Sequence, residues 1–275
     1  MSKMLFVNPI LSNLELKDLL FQGKIVKFTD CKHSKKLALY TKKFLVNKLS
    51  EQNIKEFEYK VSREKFHQIL SNLKPTFSNS KKTKELVTKI LKEIGFNLNF
   101  NIFDLVRLRS ITSYAHTIPD AKPAFAVHRD TWYANSQSQI NWWVPIFDVT
   151  EEDTFAFYPD YFSKPVKNNS NEFDYDLWNS FGGYQSVTSN ESKVFPELQE
   201  KLDLSSTLKI PCRAGDLLLF SASHLHGTTP NTTNKTRFSV DFRTVDLEDL
   251  GKSGAPNVDN FSKGSIIQDM ILATD

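Results

Sequence analysis

The feature that most constrains this chain is a change of hydrophobic period at Gly95. Before it, apolar side chains recur at helical spacing. Leu37, Tyr40, Phe44, Leu45 and Leu49 share one face, and Ser62 stands as the N-cap of a helix that Pro75 stops after Leu73. Leu86, Ile90 and Leu91 line a further helix, which Gly95 terminates. After Gly95 the pattern alternates, beginning with FDLVRLRSITS at 103–113, as in a half-buried strand. Strand-like runs follow at 123–128, 138–147, 154–158, 207–210, 216–221 and 236–245, and KIVKFT at 24–29 is a short strand ahead of the helices. The spacing predicts an α+β chain, mainly β, forming one domain over 1–275. A mostly helical support occupies 1–100, the β core 103–245 and a C-terminal extension 246–275. Residues 163–195 are polar, rich in Asn and Ser, and carry Gly182-Gly183; they read as a lid-like insertion between core strands.

Composition then limits the chemistry. Hydrophobic residues make up 40% and charged residues 24%, so a packed core is expected. Two cysteines, Cys31 and Cys212, exclude a four-thiolate metal site or a disulfide framework and fit free thiols in the cytoplasm. Any metal must be held by histidines and carboxylates. Residues 1–100 hold 20 Lys/Arg against 9 Asp/Glu, but these cations are nearly all Lys and lack interleaved aromatics. That composition suits solvated helix faces and speaks against a nucleic-acid partner. The start, MSKMLFVNPILSNLELKDLL, has no continuous apolar run, and no stretch approaches the roughly 18 apolar residues of a membrane span. Neither a signal peptide nor a membrane partner is expected, and the oligomeric state is left open.

Two segments carry chemistry. In AFAVHRDTWY, His128 and Asp130 stand two apart at the end of a strand-like run, so alternation turns both to one side. In AGDLLLFSASHLHGTTPNTTNKTRFSVDFR, a strand leads to His224 and His226, then a turn, then a strand with Arg237. Two imidazoles and one carboxylate on one face of an ion leave adjacent positions open, which suits Fe(II) oxygen chemistry. By itself His-x-Asp is a common pattern; the following His-Gly and the Arg eleven positions beyond it make the combination specific.

This combination resembles the Fe(II)/2-oxoglutarate-dependent dioxygenase superfamily, in particular its phytanoyl-CoA-hydroxylase-like branch, over residues 103–245. The resemblance implies a double-stranded β-helix of the jelly-roll or cupin kind for the core. It implies Fe(II) held by His128, Asp130 and His226, with 2-oxoglutarate and O2 as co-substrates and Arg237 on the distal carboxylate. A planar guanidinium fork matches a carboxylate there. His226 is preferred to His224 because Gly227 and the Pro230-Asn231 turn follow it as in the family pattern; His224 is then a packing or supporting residue. Asp130 speaks against halogenation, since halogenases of this type replace that ligand with a small residue. Hydroxylation, desaturation, ring closure and epimerisation share the same ligands.

Further positions are nominated around that centre. Gln139, Asn141 and Trp143 alternate on one strand, and Asn141 and Gln139 are expected at 2-oxoglutarate or substrate. Arg107 and Arg109 face one side of an earlier strand and would need anions if turned inward. Together with Arg243, Trp132 and Tyr133 they are the candidate substrate contacts, and the substrate is expected to be a small polar or anionic molecule. FAFYPDYF departs from the segment relatives carry at that place, so no role is assigned to it. Two other readings stay open: a cupin metalloenzyme that does not use 2-oxoglutarate, and a non-catalytic ligand-binding β-sandwich.

Overall fold

The structure is a computed structural model and describes residues 3–180, 195–203, 205–252 and 254–274. Residues 181–194 of the expected 163–195 insertion, including Gly182-Gly183, therefore lie outside the described residues. The N-terminal part contains β1 (Leu5–Val7), α1 (Asn13–Phe21), β2 (Ile25–Phe28), α2 (Lys32–Leu49), α3 (Arg63–Ser78) and α4 (Lys81–Ile94). Then come β3 (Asn101–Phe103), β4 (Arg107–Ile111), β5 (Ile140–Pro145), β6 (Phe155–Phe157), α5 (Tyr175–Ser180), β7 (Leu208–Lys209), β8 (Leu217–Ser221), β9 (His226–Thr228), β10 (Arg237–Asp246) and β11 (Ile271–Leu272). An eight-stranded, mainly antiparallel sheet runs β1-β2-β8-β5-β10-β3-β11, with β4 also on β10; a three-stranded sheet runs β7-β6-β9.

The large sheet is two-faced because its central strands alternate. Ile140, Trp142 and Val144 of β5, Leu217 and Leu219 of β8, and Phe238, Val240 and Phe242 of β10 join the helical layer in one apolar cluster. That layer contributes Leu37 and Leu45 of α2, Phe66 and Phe77 of α3, and Leu86 and Ile90 of α4. Trp142 and Phe242 stack at 5.5 Å between centroids. On the other face, Trp143, Leu218 and Phe220 pack with Phe157 of the small sheet and with Ile210 just beyond β7. Between the two sheets the same face carries Asn141, Arg237, Ser239, Asp241 and Arg243. The helices thus shield one side of the sheet and leave the other for a site.

Several sequence expectations change in detail. The strand expected over 103–113 is broken into β3 and β4, both paired to β10. At the break the Asp104 side chain accepts the Arg243 N–H at 2.8 Å, while the Asp104 N–H donates to the Arg243 carbonyl at 3.1 Å. The first half of the run expected as strand 123–128 belongs to a 3-10 helix, Pro119–Phe125; Pro119 and Pro123 have no N–H to give a ladder. α3 continues through Pro75 to Ser78, because the helix loses one bond there but keeps Leu73 and Phe77 in the core. Ser62 does cap α3, accepting the Lys65 N–H at 3.2 Å, and Gly95 ends α4 at φ 94°, where a side chain would be strained.

The C-terminal residues fold back onto the core. β11 pairs with β3, and Asp259 is buried. Its carboxylate accepts from Arg129 Nε at 3.1 Å, from Trp132 Nε1 at 2.8 Å and from the Val166 N–H at 2.9 Å. Arg129 is 1% exposed, so removing its counter-charge leaves a buried cation uncompensated. Asp259→Ala is expected to cost about 3–5 kcal/mol of folding stability. Urea denaturation of the purified variant checks this; a loss below about 1 kcal/mol would contradict the structural role given to the pair.

Candidate metal centre

His128 and His226 are far apart in sequence and directly opposed in space. They form an antiparallel bridge, exchanging both backbone hydrogen bonds at 2.9 Å. The close approach depends on Gly227, where an added Cβ would lie 3.3 Å from a Val127 methyl. His128 sits just after the 3-10 turn, and His226 opens β9. Asp130 follows with its N–H on the Ala222 carbonyl at 3.0 Å, just beyond β8. One potential ligand atom from each of His128, Asp130 and His226 falls within 4.8 Å of the others. The alternation read from HRD and the choice of His226 agree with this cluster.

The imidazoles are preset as ligands. His128 Nδ1 lies 2.9 Å from the Ala126 carbonyl, and His226 Nδ1 lies 2.9 Å from the His224 carbonyl. A carbonyl only accepts, so each Nδ1 is the donor there and Nε2 is the ring atom left for a ligand role. Burial, and then the neighbouring His128, push the His226 imidazole down to about 4, so it is neutral near pH 7, as ligation requires. Burial would raise the Asp130 carboxyl, but Arg243, the His128 contact and His226 hold it well below its ordinary 3.8. Asp130 is therefore ionised. Its Oδ2 accepts from Asn141 Nδ2 at 2.6 Å, and its Oδ1 lies 3.4 Å from His128 Nε2 and 3.5 Å from Arg243 Nη2.

The cluster opens on a cavity of about 720 Å³. Arg237 lines it and is buried, with its guanidinium 5.3 Å from the Phe155 ring centroid and 5.9 Å from that of Trp143. Nη1 donates to the Asp153 carbonyl at 3.0 Å, and Nε has no partner among the described residues. Burial lowers this group to about 10, which leaves it charged at neutral pH. It is a cation facing the cavity with donor capacity to spare.

The remaining nominated residues divide. Asn141, Arg243, Tyr133 and Arg109 line the cavity. Gln139 is fully buried and donates from Nε2 to Asn141 Oδ1 at 2.9 Å. Trp132 is fully buried beside the site and turned to Asp259, so it does not wall the cavity as expected. Arg107 pairs with Asp104, and Arg109 grips both oxygens of Asp241, at 2.8 and 3.3 Å. These carboxylates answer the charges of the two arginines from within the protein. His224 is enclosed by Phe157, Phe162 and Phe220, and burial pushes it down to about 3, so it packs as a neutral ring. Sequence reasoning missed Asp104, Asp241 and Asp259. Only Asp241 had a usable signal, lying between Arg237 and Arg243 in the alternation of one strand.

The sequence profile of the phytanoyl-CoA dioxygenase (PhyH) family matches residues 27–239. No curated protein matches the chain. Among solved structures, EvdO2 from Micromonospora carbonacea var. aurantiaca is 13% identical, with 62% of each chain covered and a TM-score of 0.40; this chain thus spans under two thirds of it. The apo form of ThoJ, a non-haem monooxygenase, is 12% identical, with 86% of this chain and 83% of that chain covered and a TM-score of 0.46. The epimerase SnoN, in complex with Fe3+, alpha ketoglutarate and nogalamycin RO, is 14% identical, with coverages of 95% and 100% and a TM-score of 0.42.

The two neighbouring histidines should separate cleanly in experiment. His224→Leu is expected to leave divalent-metal affinity within about threefold and thermal stability little changed, since the ring packs neutral among Phe157, Phe162 and Phe220. His226→Leu should abolish metal binding. Calorimetric titration with Co(II) checks both; loss of binding in the His224 variant would reverse the assignment.

Proposed function

The chain belongs to the phytanoyl-CoA dioxygenase family, and on that premise we propose that it is a non-haem Fe(II)/2-oxoglutarate-dependent oxygenase that hydroxylates a small polar or anionic metabolite. The observation that carries this reading is the donor set: two imidazoles and one ionised carboxylate with ligand atoms within 4.8 Å, open to a cavity with a buried arginine. The donor types fit Fe(II), and three protein ligands leave positions for a chelating co-substrate. The two sheets are read as the halves of a double-stranded β-helix. The two free cysteines fit a cytoplasmic setting.

A ferrous centre with 2-oxoglutarate and O2 supplies the oxidising power for C–H hydroxylation, releasing succinate and CO2. The protein's part is positional. His128, Asp130 and His226 would hold the ion on one face. Arg237 would receive the distal carboxylate of 2-oxoglutarate with its unpartnered Nε–H, its charge stabilised by the flanking Trp143 and Phe155 rings. Phe155, Phe220 and Trp143 line the cavity and exclude water around the reacting centre. On the cavity wall, Arg109 and Asp241 stand side by side as a cation and a carboxylate that a polar substrate can address.

Anaerobic addition of Fe(II) and 2-oxoglutarate to the purified protein should raise the weak visible charge-transfer absorption of the chelate, and O2 should then yield succinate. Asp130→Ala and His226→Ala are expected to lose both signals. Arg237→Ala should raise the 2-oxoglutarate requirement about 10–100-fold, the loss of a charge-assisted hydrogen bond or two, with the iron requirement nearly unchanged. Absence of the band together with metal binding would favour a cupin metalloenzyme; absence of any binding would favour a ligand-binding module.

A further inference from the structure

On the reading that His128, Asp130 and His226 hold a divalent metal, we propose that Gln139 and Asn141 form a relay that fixes Asp130 as a one-oxygen ligand before the ion arrives, with Asn141 as the positioning residue. The direction of the relay follows from charge. An ionised carboxylate only accepts, so the Asn141 amide must turn its Nδ2 to Asp130 Oδ2, where it sits at 2.6 Å. The Asn141 carbonyl oxygen then faces Gln139, which must answer with Nε2, at 2.9 Å. Each amide has one orientation, and both are set by the Asp130 charge.

The cost of this arrangement marks it as more than packing. Gln139 is fully buried, and its Oε1 has no partner among the described residues. Side chains that only fill space at such a place are apolar or fully hydrogen-bonded. The one satisfied group of Gln139 is the one that orients Asn141. The opposite side of Asp130 is braced too. Arg243 stands directly across from Asn141 in the β5–β10 register and reaches Oδ1 at 3.5 Å, while its backbone N–H is tied to Asp104.

With Oδ2 occupied by Asn141, a single carboxylate oxygen faces the histidines. That keeps the protein to one ligand atom per residue. A carboxylate free to rotate would take a second coordination position, one that the chelating co-substrate needs. Asn141 and Gln139 thus act on the metal through Asp130, rather than on 2-oxoglutarate itself.

The test uses the full chain and Co(II), whose visible spectrum reports ligand number and geometry. Asn141→Leu and Gln139→Met conserve side-chain volume. Asn141→Leu should weaken Co(II) binding about 10–100-fold by calorimetry and alter the visible band as Asp130 turns. Gln139→Met should weaken it by a smaller factor, while the thermal midpoint of the metal-free protein changes little, because the orphan Gln139 Oε1 is removed as Asn141 Oδ1 loses its donor. This split is what a merely structural role would not give. If Asn141→Leu fails to fold, Gln139→Met decides. Variants that bind Co(II) as the wild type does, with the same spectrum, overturn the relay alone. A wild-type protein that binds no Co(II) overturns the metal centre and the relay together.

Discussion

The interior of this protein holds ionised groups that could not be buried singly, and the site follows from how they are neutralised. A charge removed from water needs a partner at hydrogen-bonding distance or it shifts toward its neutral form. On the cavity face of the large sheet, Arg109 meets Asp241, Arg107 meets Asp104, and Arg243 lies between Asp104 and Asp130. Arg237 stands apart. Its hydrogen bond goes to a carbonyl, and two aromatic rings surround its guanidinium. A dianionic ligand entering the cavity therefore finds most cations already engaged and one with capacity left. On the proposed function, the internal pairing would direct the ligand as much as Arg237 would.

That arrangement requires a sheet with two different faces. β10 alternates Phe238, Val240 and Phe242 toward the helices with Arg237, Ser239, Asp241 and Arg243 toward the cavity, and β5 does the same with Trp142 against Asn141 and Trp143. The helical layer has no direct part in the chemistry. It removes water from one face, so the strands stay in register and the polar residues of the other face remain aligned. A slip of one residue would exchange the two sets and bury four charged or polar side chains among the helices.

Periodicity made the order of elements legible, and the combination of His-x-Asp, His-Gly and a following Arg made the metal cluster legible. Both signals are local, or repeat along one strand. What stayed hidden depends on a local break in a strand and on partners distant in the chain. Arg107 and Arg109 were read correctly as sharing a face. Nothing in a regular alternation announced the strand break that turns Asp104, three residues before Arg107, back onto it, or Asp241, 132 positions from Arg109. The 3-10 helix at Pro119–Phe125 was hidden for a different reason: its apolar residues mimic a strand, and only the two prolines contradict it. Asn141 lines the cavity with its amide on Asp130, a contact that alternation along one strand does not announce.

The HRD triplet shows how far one alternation can reach. His128 and Asp130 turn to the metal side; Arg129, between them, turns the opposite way and is buried. Its donors hold the carbonyls of Ser223, Tyr161 and Lys164 as well as the Asp259 carboxylate. Ser223 lies three residues before His226, and Asp259 also holds Trp132. The residue between two metal ligands thus ties the backbone that carries the third ligand to the C-terminal extension. Ligand geometry and chain packing are therefore coupled through a single strand end. A substitution at Arg129 would disturb the relative placement of His128 and His226 without touching either ring.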